Sequence, residues 1–278
     1  MNEVIILGAS GMLGNAVTKQ FITAGYKPIL TSRRSSYDLT CAKFPLRPIY
    51  SFELDAETPP NWRLIKEGYY VINCIGVIKP FVEKVGPANT IYINSVFPHL
   101  LANHCEKVGA KLIHITTDCV FSGEFGPYDE YDKHDATDLY GQSKSLGEPK
   151  NAMVIRTSII GEEIHKDASL IAWVKSQRGN TVRGFSDHIW NGITTKQYGK
   201  ICVQIIENDL WEPSLTHVFS PQQVTKYELL QMLNGKFNLN LTIDKVQSGS
   251  YTNRALKSVS DICNQLHIPS LPQQIQEM

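Results

Sequence analysis

The sequence has no excess of either charge: 27 lysines and arginines balance 27 aspartates and glutamates over 278 residues. That balance excludes a generally basic nucleic-acid surface and offers no attraction to an acidic membrane. The six cysteines, at 41, 74, 105, 119, 202 and 263, form no C-x-x-C pair, and no two lie closer than fourteen residues. Free thiols in a reducing compartment are expected, because a chain of this length does not need disulfide staples. No stretch approaches the roughly 20 apolar residues of a membrane helix. The first eight residues lack a basic region and carry only a four-residue apolar run, so a cytoplasmic protein without a secretory signal is expected. His99, His104 and His114 lack a clustered carboxylate or cysteine pattern, so no metal is expected. Neither a G-x-S-x-G elbow nor an internal repeat occurs.

What is present is a core-forming composition, 42% hydrophobic and 19% charged, enough for one large domain or two small ones. Short continuous apolar runs predict strands at 4–7, 26–31, 48–52, 69–72, 112–115 and 152–155. Helical spacing between them predicts helices at 12–21, 61–65, 87–108 and from Tyr140. This alternation calls for a parallel sheet covered on both faces. After Arg156 the pattern changes. Helices are predicted at 167–176, 195–207 and 225–234, with short strands near Val182, Val218 and 241–246. From Arg254 onward the pattern predicts a helix and then a proline-punctuated tail. The expectation is an α/β Rossmann-type doubly wound sheet, residues 1–160, with a smaller, partly interwoven lobe, residues 161–278. A segment near 181–195 is the candidate for returning to the first domain.

Directly after the first strand comes Gly8-Ala9-Ser10-Gly11-Met12-Leu13-Gly14, a G-x-x-G-x-x-G turn opening a helix. Gly8 suits the tight turn, Gly11 a close approach of backbone to a pyrophosphate, and Gly14 close packing of helix on sheet. The second strand ends in Ser32-Arg33-Arg34 rather than an acidic residue. An arginine there favours a 2′-phosphate, hence NADPH over NADH, with NADH still possible.

The fifth strand delivers Thr116-Thr117-Asp118 at its carboxyl end, where parallel-sheet enzymes place reactive groups. Tyr140-Gly141-Gln142-Ser143-Lys144 sets a phenol and an ammonium four residues apart, on one side of a helix. The lysine can lower the phenol's pKa, and the phenol can hand a proton to a carbonyl oxygen as hydride arrives. Thr117 can hydrogen-bond the same oxygen. Asp118 suits substrate hydroxyls or loop bracing. Trp190 and Asn191 offer a stacking ring and an amide for a sugar or base, or an anchor for their loop.

These residues together resemble the extended short-chain dehydrogenase/reductases, and within them the dTDP-4-dehydrorhamnose reductase-like group, over most of the chain. The resemblance rests on the Gly8–Gly14 loop, Asn73-Cys74-Ile75-Gly76, Asn94, the run His114–Gly123, the run Tyr140–Glu148 and Arg156-Thr157-Ser158. It implies reduction of the 4-keto group of a nucleotide-linked deoxysugar by NADPH, in surface polysaccharide or deoxysugar biosynthesis. Thr117, Tyr140 and Lys144 match the catalytic set. Gly8, Ser10, Gly11, Met12, Leu13 and Gly14 match the pyrophosphate loop, and Ser32 and Arg33 the adenosine-ribose site. Asn73, Cys74, Gly76, Asn94, Thr116, Lys144 and Thr157 fall where the cofactor crosses the sheet edge.

The resemblance weakens around the substrate. Cys119 replaces a tyrosine, Ile159-Ile160 an aromatic stretch, and the segment 187–195 departs from D-Q-x-G-x-P-T. Arg254-Ala255-Leu256-Lys257-Ser258 resembles R-P-x-N-S without its proline and asparagine. Substrate contacts are therefore expected from Thr117, Asp118, Trp190, Asn191, Arg254, Lys257 and Ser258. A UDP or GDP sugar fits as easily as a dTDP one, and a homodimer is the assembly this reading allows. The alternatives are a nucleotide-sugar epimerase or dehydratase, or a non-catalytic NADP-binding regulatory subunit, since the family also resembles the beta subunit of methionine adenosyltransferase.

Overall fold

Strand β1 (Val4–Leu7) is buried along its whole length inside a seven-stranded parallel sheet. The structure is a computed structural model and describes residues 2–32, 49–51, 62–163 and 169–278. Arg33, Arg34 and Cys41 lie outside the described residues. The sheet runs β11-β6-β5-β4-β1-β2-β3, with β2 (Ile29–Ser32), β3 (Ile49–Ser51), β4 (Tyr70–Asn73), β5 (Lys111–Thr117), β6 (Met153–Thr157) and β11 (Leu215–His217). β1 pairs with β2 on one side and with β4 on the other. The chain therefore reverses its direction of winding there, leaving a crevice at the carboxyl ends of β1 and β4 where such sheets bind ligands. The doubly wound architecture expected from the alternating pattern is present.

Apolar residues face both ways. On one side α1 (Met12–Thr23) packs Val17 and Phe21 with Ile113 and Ile155 of the sheet and with Ile201 and Ile205. On the other, Phe97 and Leu101 of α2 (Phe97–Val108) cover Ile5, Leu7, Val71 and Leu112. The predicted helix over 87–108 is a helical run with a π segment at Tyr92–Val96. Such bulges re-aim side chains; this one carries Asn94.

Beyond β6 the chain leaves the sheet and returns. The lobe holds β7 (Ile159–Ile160), α4 (Leu170–Ser176 in the numbering that follows α3, Leu139–Ser145), β8 (Thr181–Phe185), β9 (His188–Trp190) and β10 (Ile193–Thr194). Then α5 (Thr195–Glu207) packs against α1, and β11 pairs in parallel with β6. The stretch that rejoins the main sheet layer is thus α5 and β11. Its reason is α5's apolar face: Ile201, Cys202, Ile205 and Ile206 are buried in the core shared with α1. β12 (Val224–Thr225), α6 (Lys226–Phe237), β13 (Thr242–Val246) and β14 (Thr252–Asn253) complete the lobe around Val182, Trp190, Leu229 and Leu233.

The end of the chain differs from expectation. No helix begins at Arg254; the segment pairs through Leu256 with Tyr128, and the first helical turn is α7 (Ile262–Gln265). The proline-bearing tail is itself a helix, α8 (Leu271–Gln276). Ser270 caps it with Gln273 in a reciprocal box, and Pro272 sits in the first turn, where its missing N–H costs nothing.

Candidate active site

Gly8 takes φ +77°, and a Cβ there would come within 2.9 Å of Ile75 Cγ1. A Cβ on Gly14 would fall inside the van der Waals radius of the Gly8 carbonyl oxygen. Both positions therefore demand glycine. Gly11 has room around its Cβ position and spends its N–H on Gly8 O at 3.0 Å, so the amides on offer to a phosphate are those of the first helical turn beyond it. No side chain caps that turn. Met12 is half-buried and Leu13 anchors the helix in the core. Ser32, buried at the end of β2, donates to Ser10 Oγ at 2.8 Å, tying the loop to the strand that leads toward Arg33. Gly14→Ala is expected to destabilise the fold by about 1–3 kcal/mol, which a thermal melt checks; a wild-type melt would contradict the close packing.

The next strand ends are shaped by buried polar groups. Asn73 Nδ2 meets His114 Nδ1 at 3.0 Å while its Oδ1 accepts from Ile75 N, so its amide holds the turn after β4. Cys74 packs into the core, and burial raises its pKa well above normal. Asn94 accepts from Val77 N at 2.8 Å and donates to Val77 O and to Ser143 Oγ, clasping that turn to α3. A Cβ on Gly76 would lie 2.7 Å from Lys144 Nζ. The bare backbone at Gly76 thus lets the lysine ammonium lie directly against it. These features fit a dinucleotide: a glycine cradle, an uncapped helix start and a buried ammonium facing the strand edge.

α3 brings the reactive pair together. Asp138 caps it by accepting from Gly141 N at 2.8 Å and holds Lys79 Nζ at 2.7 Å. Gly141 packs so tightly on Cys119 O that any side chain would collide. Tyr140 is thereby placed close enough to Thr117 for that hydroxyl to act on its phenol. Thr117 Oγ1 also donates to Asp118 Oδ1 at 3.1 Å and accepts from Cys119 N. Lys144 follows one turn later, 6% exposed. Burial lowers its pKa to about 8, opposed by Glu148. Burial, then the Cys119 thiol, raises Tyr140, with Thr117 pulling the other way. Thr116 and Thr157 are buried at the same strand ends.

Other expected substrate contacts are committed to the protein itself. Trp190 is 4% exposed and sits in the lobe's apolar core. Asn191 donates to Leu256 O at 2.7 Å and accepts from Leu256 N at 2.8 Å, so its amide is a clasp for the 254–258 segment. Lys257 pairs with Asp129 at 3.2 Å, and Ser258 donates to Glu130, which turns both toward the loop at 128–132. Arg254 stays with the reactive cluster, its Nε donating to Phe121 O at 2.9 Å.

Sequence reasoning missed the polar core behind the site. Arg156, fully buried, donates from Nε and Nη2 to both oxygens of Glu148, at 3.1 and 2.6 Å. Its Nη1 reaches His217 Nε2 at 2.8 Å, and its Nη2 reaches His134 Nε2 at 2.6 Å. Guanidinium donors require both imidazoles to accept, hence to be neutral; burial, then Arg156, lowers both pKa values. His134 in turn meets Ser145 Oγ at the end of α3. The signal was the spacing of Glu148 from Lys144, one turn apart.

Among the described residues no group of three metal-ligating side chains could hold a metal ion, and no helix is long and apolar enough to cross a membrane. Over 253 residues the chain is 28% identical to methionine adenosyltransferase 2 subunit beta of Xenopus tropicalis, spanning 85% of this chain and 72% of that one. It is 31% identical over 167 residues to dTDP-4-dehydrorhamnose reductase of Mycobacterium tuberculosis, 56% of this chain and 49% of that one. A solved dTDP-4-dehydrorhamnose reductase from Bacillus anthracis, in complex with NADP, matches in fold with TM-score 0.72 at 19% identity, over 99% of this chain and 98% of that one. Residues 1–260 match the family model of the RmlD substrate binding domain, and the chain belongs to that family.

Proposed function

We propose that this protein uses NADPH to reduce the keto group of a nucleotide-linked deoxysugar, as a dTDP-4-dehydrorhamnose reductase-like enzyme. The observation that carries this is the placement of Tyr140 and Lys144 one turn apart on α3, with Lys144 Nζ against Gly76 and Thr117 at the end of β5. NADP in the Bacillus anthracis relative supports a nicotinamide cofactor; the preference for NADPH rests on Arg33. Residues 1–160 would carry the dinucleotide and 161–278 the sugar nucleotide.

Gly8, Ser10, the amides of Met12, Leu13 and Gly14, Ser32, Gly76, Asn94 and Lys144 would hold the dinucleotide, which supplies the hydride when bound. Tyr140 Oη donates its proton to the sugar oxygen as negative charge develops there. Thr117 Oγ1, by turning its one proton from Asp118 to that oxygen, gives it a second donor, and Lys144 stabilises the phenolate left behind. Holding these groups in place does much of the work, since a misplacement of about 1 Å can cost on the order of 100-fold.

The protonation states set the pH profile. Tyr140, raised by burial, stays protonated through neutral pH, while Lys144 keeps its charge only below about 8. kcat/KM for reduction should be level through neutral pH and fall above pH 8, with the break gone in Lys144→Met. A rate that climbs through that range would contradict the roles given to the pair.

A second reading draws on the 28% identity to methionine adenosyltransferase 2 subunit beta across 85% of the chain. In that reading the protein binds NADP as a subunit of a larger enzyme. Cofactor binding without turnover, together with stable capture of such an enzyme, distinguishes it.

A further inference from the structure

The cleft contains a cation that the reduction leaves without a task. Lys226 is the first residue of α6, fixed by the reciprocal cap between Thr225 and Glu228. β12 pairs antiparallel with β9, Val224 opposite Trp190 and Thr225 opposite Ile189. Lys226 consequently leaves that edge over the indole of Trp190, with Nζ 5.5 Å from the ring centroid. The ring is wedged against Gly192, whose Cβ position also abuts Ser158 O in the turn after β6. The platform under Lys226 therefore adjoins the strand end that carries Thr157.

Arg254 arrives from β14, which pairs with the opposite edge of β9. Its N–H donates to Ile189 O at 3.2 Å, while its Nε reaches Phe121 O beyond β5. Asp118, Cys119 and Arg254 all act electrostatically on Lys226. Among the described residues no carboxylate comes within ion-pair distance of Lys226 Nζ, and its ring contact is with Trp190. The registers of β12 and β14 thus set Lys226 and Arg254 on the two sides of Ile189, and Lys226 is half-buried. Burial, with Arg254, lowers the Lys226 pKa against the pull of Asp118 and Cys119. Such an arrangement is incomplete until an anion enters.

Resting on the sugar-nucleotide reading, we propose that Lys226 and Arg254 clamp an anionic group of the substrate, and that Lys226 is a specificity-determining residue of the cleft. The group is a set of anionic oxygens, from the diphosphate or from a carboxylate on the sugar. Trp190 keeps its place in the core and acts by holding the Lys226 stem.

The test is calorimetric titration of the full chain, saturated with NADPH, by UDP, dTDP and UDP-glucuronate. Lys226→Met keeps the aliphatic stem on Trp190 and removes the charge; Lys226→Arg keeps the charge. Lys226→Met should weaken binding about 10- to 100-fold, Lys226→Arg should retain most of it, and NADPH affinity should be unchanged in both. A loss shared by all three nucleotides assigns the clamp to the diphosphate, and a loss confined to UDP-glucuronate assigns it to the sugar carboxylate. Wild-type affinity of Lys226→Met for every probe overturns the clamp alone. A wild-type protein that binds NADPH and none of the probes overturns the sugar-nucleotide reading, and the clamp with it.

Discussion

Replacing Tyr140 with phenylalanine is expected to lower the reduction rate by about 100- to 10,000-fold while NADPH affinity stays within error of wild type. The ring is half-buried on α3, and phenylalanine fills the same space while losing only the hydroxyl. Thr117 then remains as a hydrogen-bond donor to the sugar oxygen, but its hydroxyl is far too weak an acid to replace a phenol as proton source. Lys144 keeps its place beside Gly76. Rate and affinity should therefore separate in this variant and fall together in Lys144→Met. Retained turnover in Tyr140→Phe would remove Tyr140 as proton donor. Lost NADPH binding would show instead that its hydroxyl supports the dinucleotide.

The second large effect is on stability. Arg156→Met should cost about 3–5 kcal/mol, because it leaves Glu148 buried without its bidentate partner. The melting temperature would then fall by on the order of 10 °C. Arg156→Met combined with Glu148→Leu should recover much of the loss, since removing both charges removes the desolvation problem that either one leaves. A single variant that melts like wild type would contradict the structural role. Three buried histidines, two of them in this core, predict acid sensitivity. His114, His134 and His217 all have pKa values lowered by burial, His114 to about 3. The unfolded chain therefore binds more protons than the folded one below about pH 6.5, and stability should drop as pH falls through that value. Because His134 rests on Ser145 and Glu148 follows Lys144 by one turn, loosening this core also loosens the seat of Tyr140.

The parts of the site written in contiguous residues were legible in the sequence. Gly8, Gly11 and Gly14 span one turn, Thr116 and Thr117 end one strand, and Tyr140 and Lys144 share one helix face, so local spacing carries their meaning. The sheet was legible for the same reason, its strands being continuous apolar runs buried on both faces. What stayed hidden depends on partners far along the chain. Asn191 finds both its hydrogen bonds on Leu256, which makes it a clasp rather than a sugar contact. Lys257 and Ser258 follow Arg254 in sequence, yet Asp129 and Glu130 draw them away from it. Lys226 carries an ordinary helix-start pattern, and only the pairing of β12 with β9 sets it over Trp190. The return of β11 beside β6 likewise needs the whole lobe to be folded before it can be seen.

Whether Thr117, Tyr140 and Lys144 form a working reduction site is decided by following loss of the reduced-nicotinamide absorbance with a panel of 4-keto deoxysugars linked to dTDP, UDP and GDP. At least one of them should consume NADPH in a one-to-one ratio with reduced sugar, and Tyr140→Phe should remove nearly all of that consumption. Tight NADPH binding with no net consumption across the whole panel would contradict such a site.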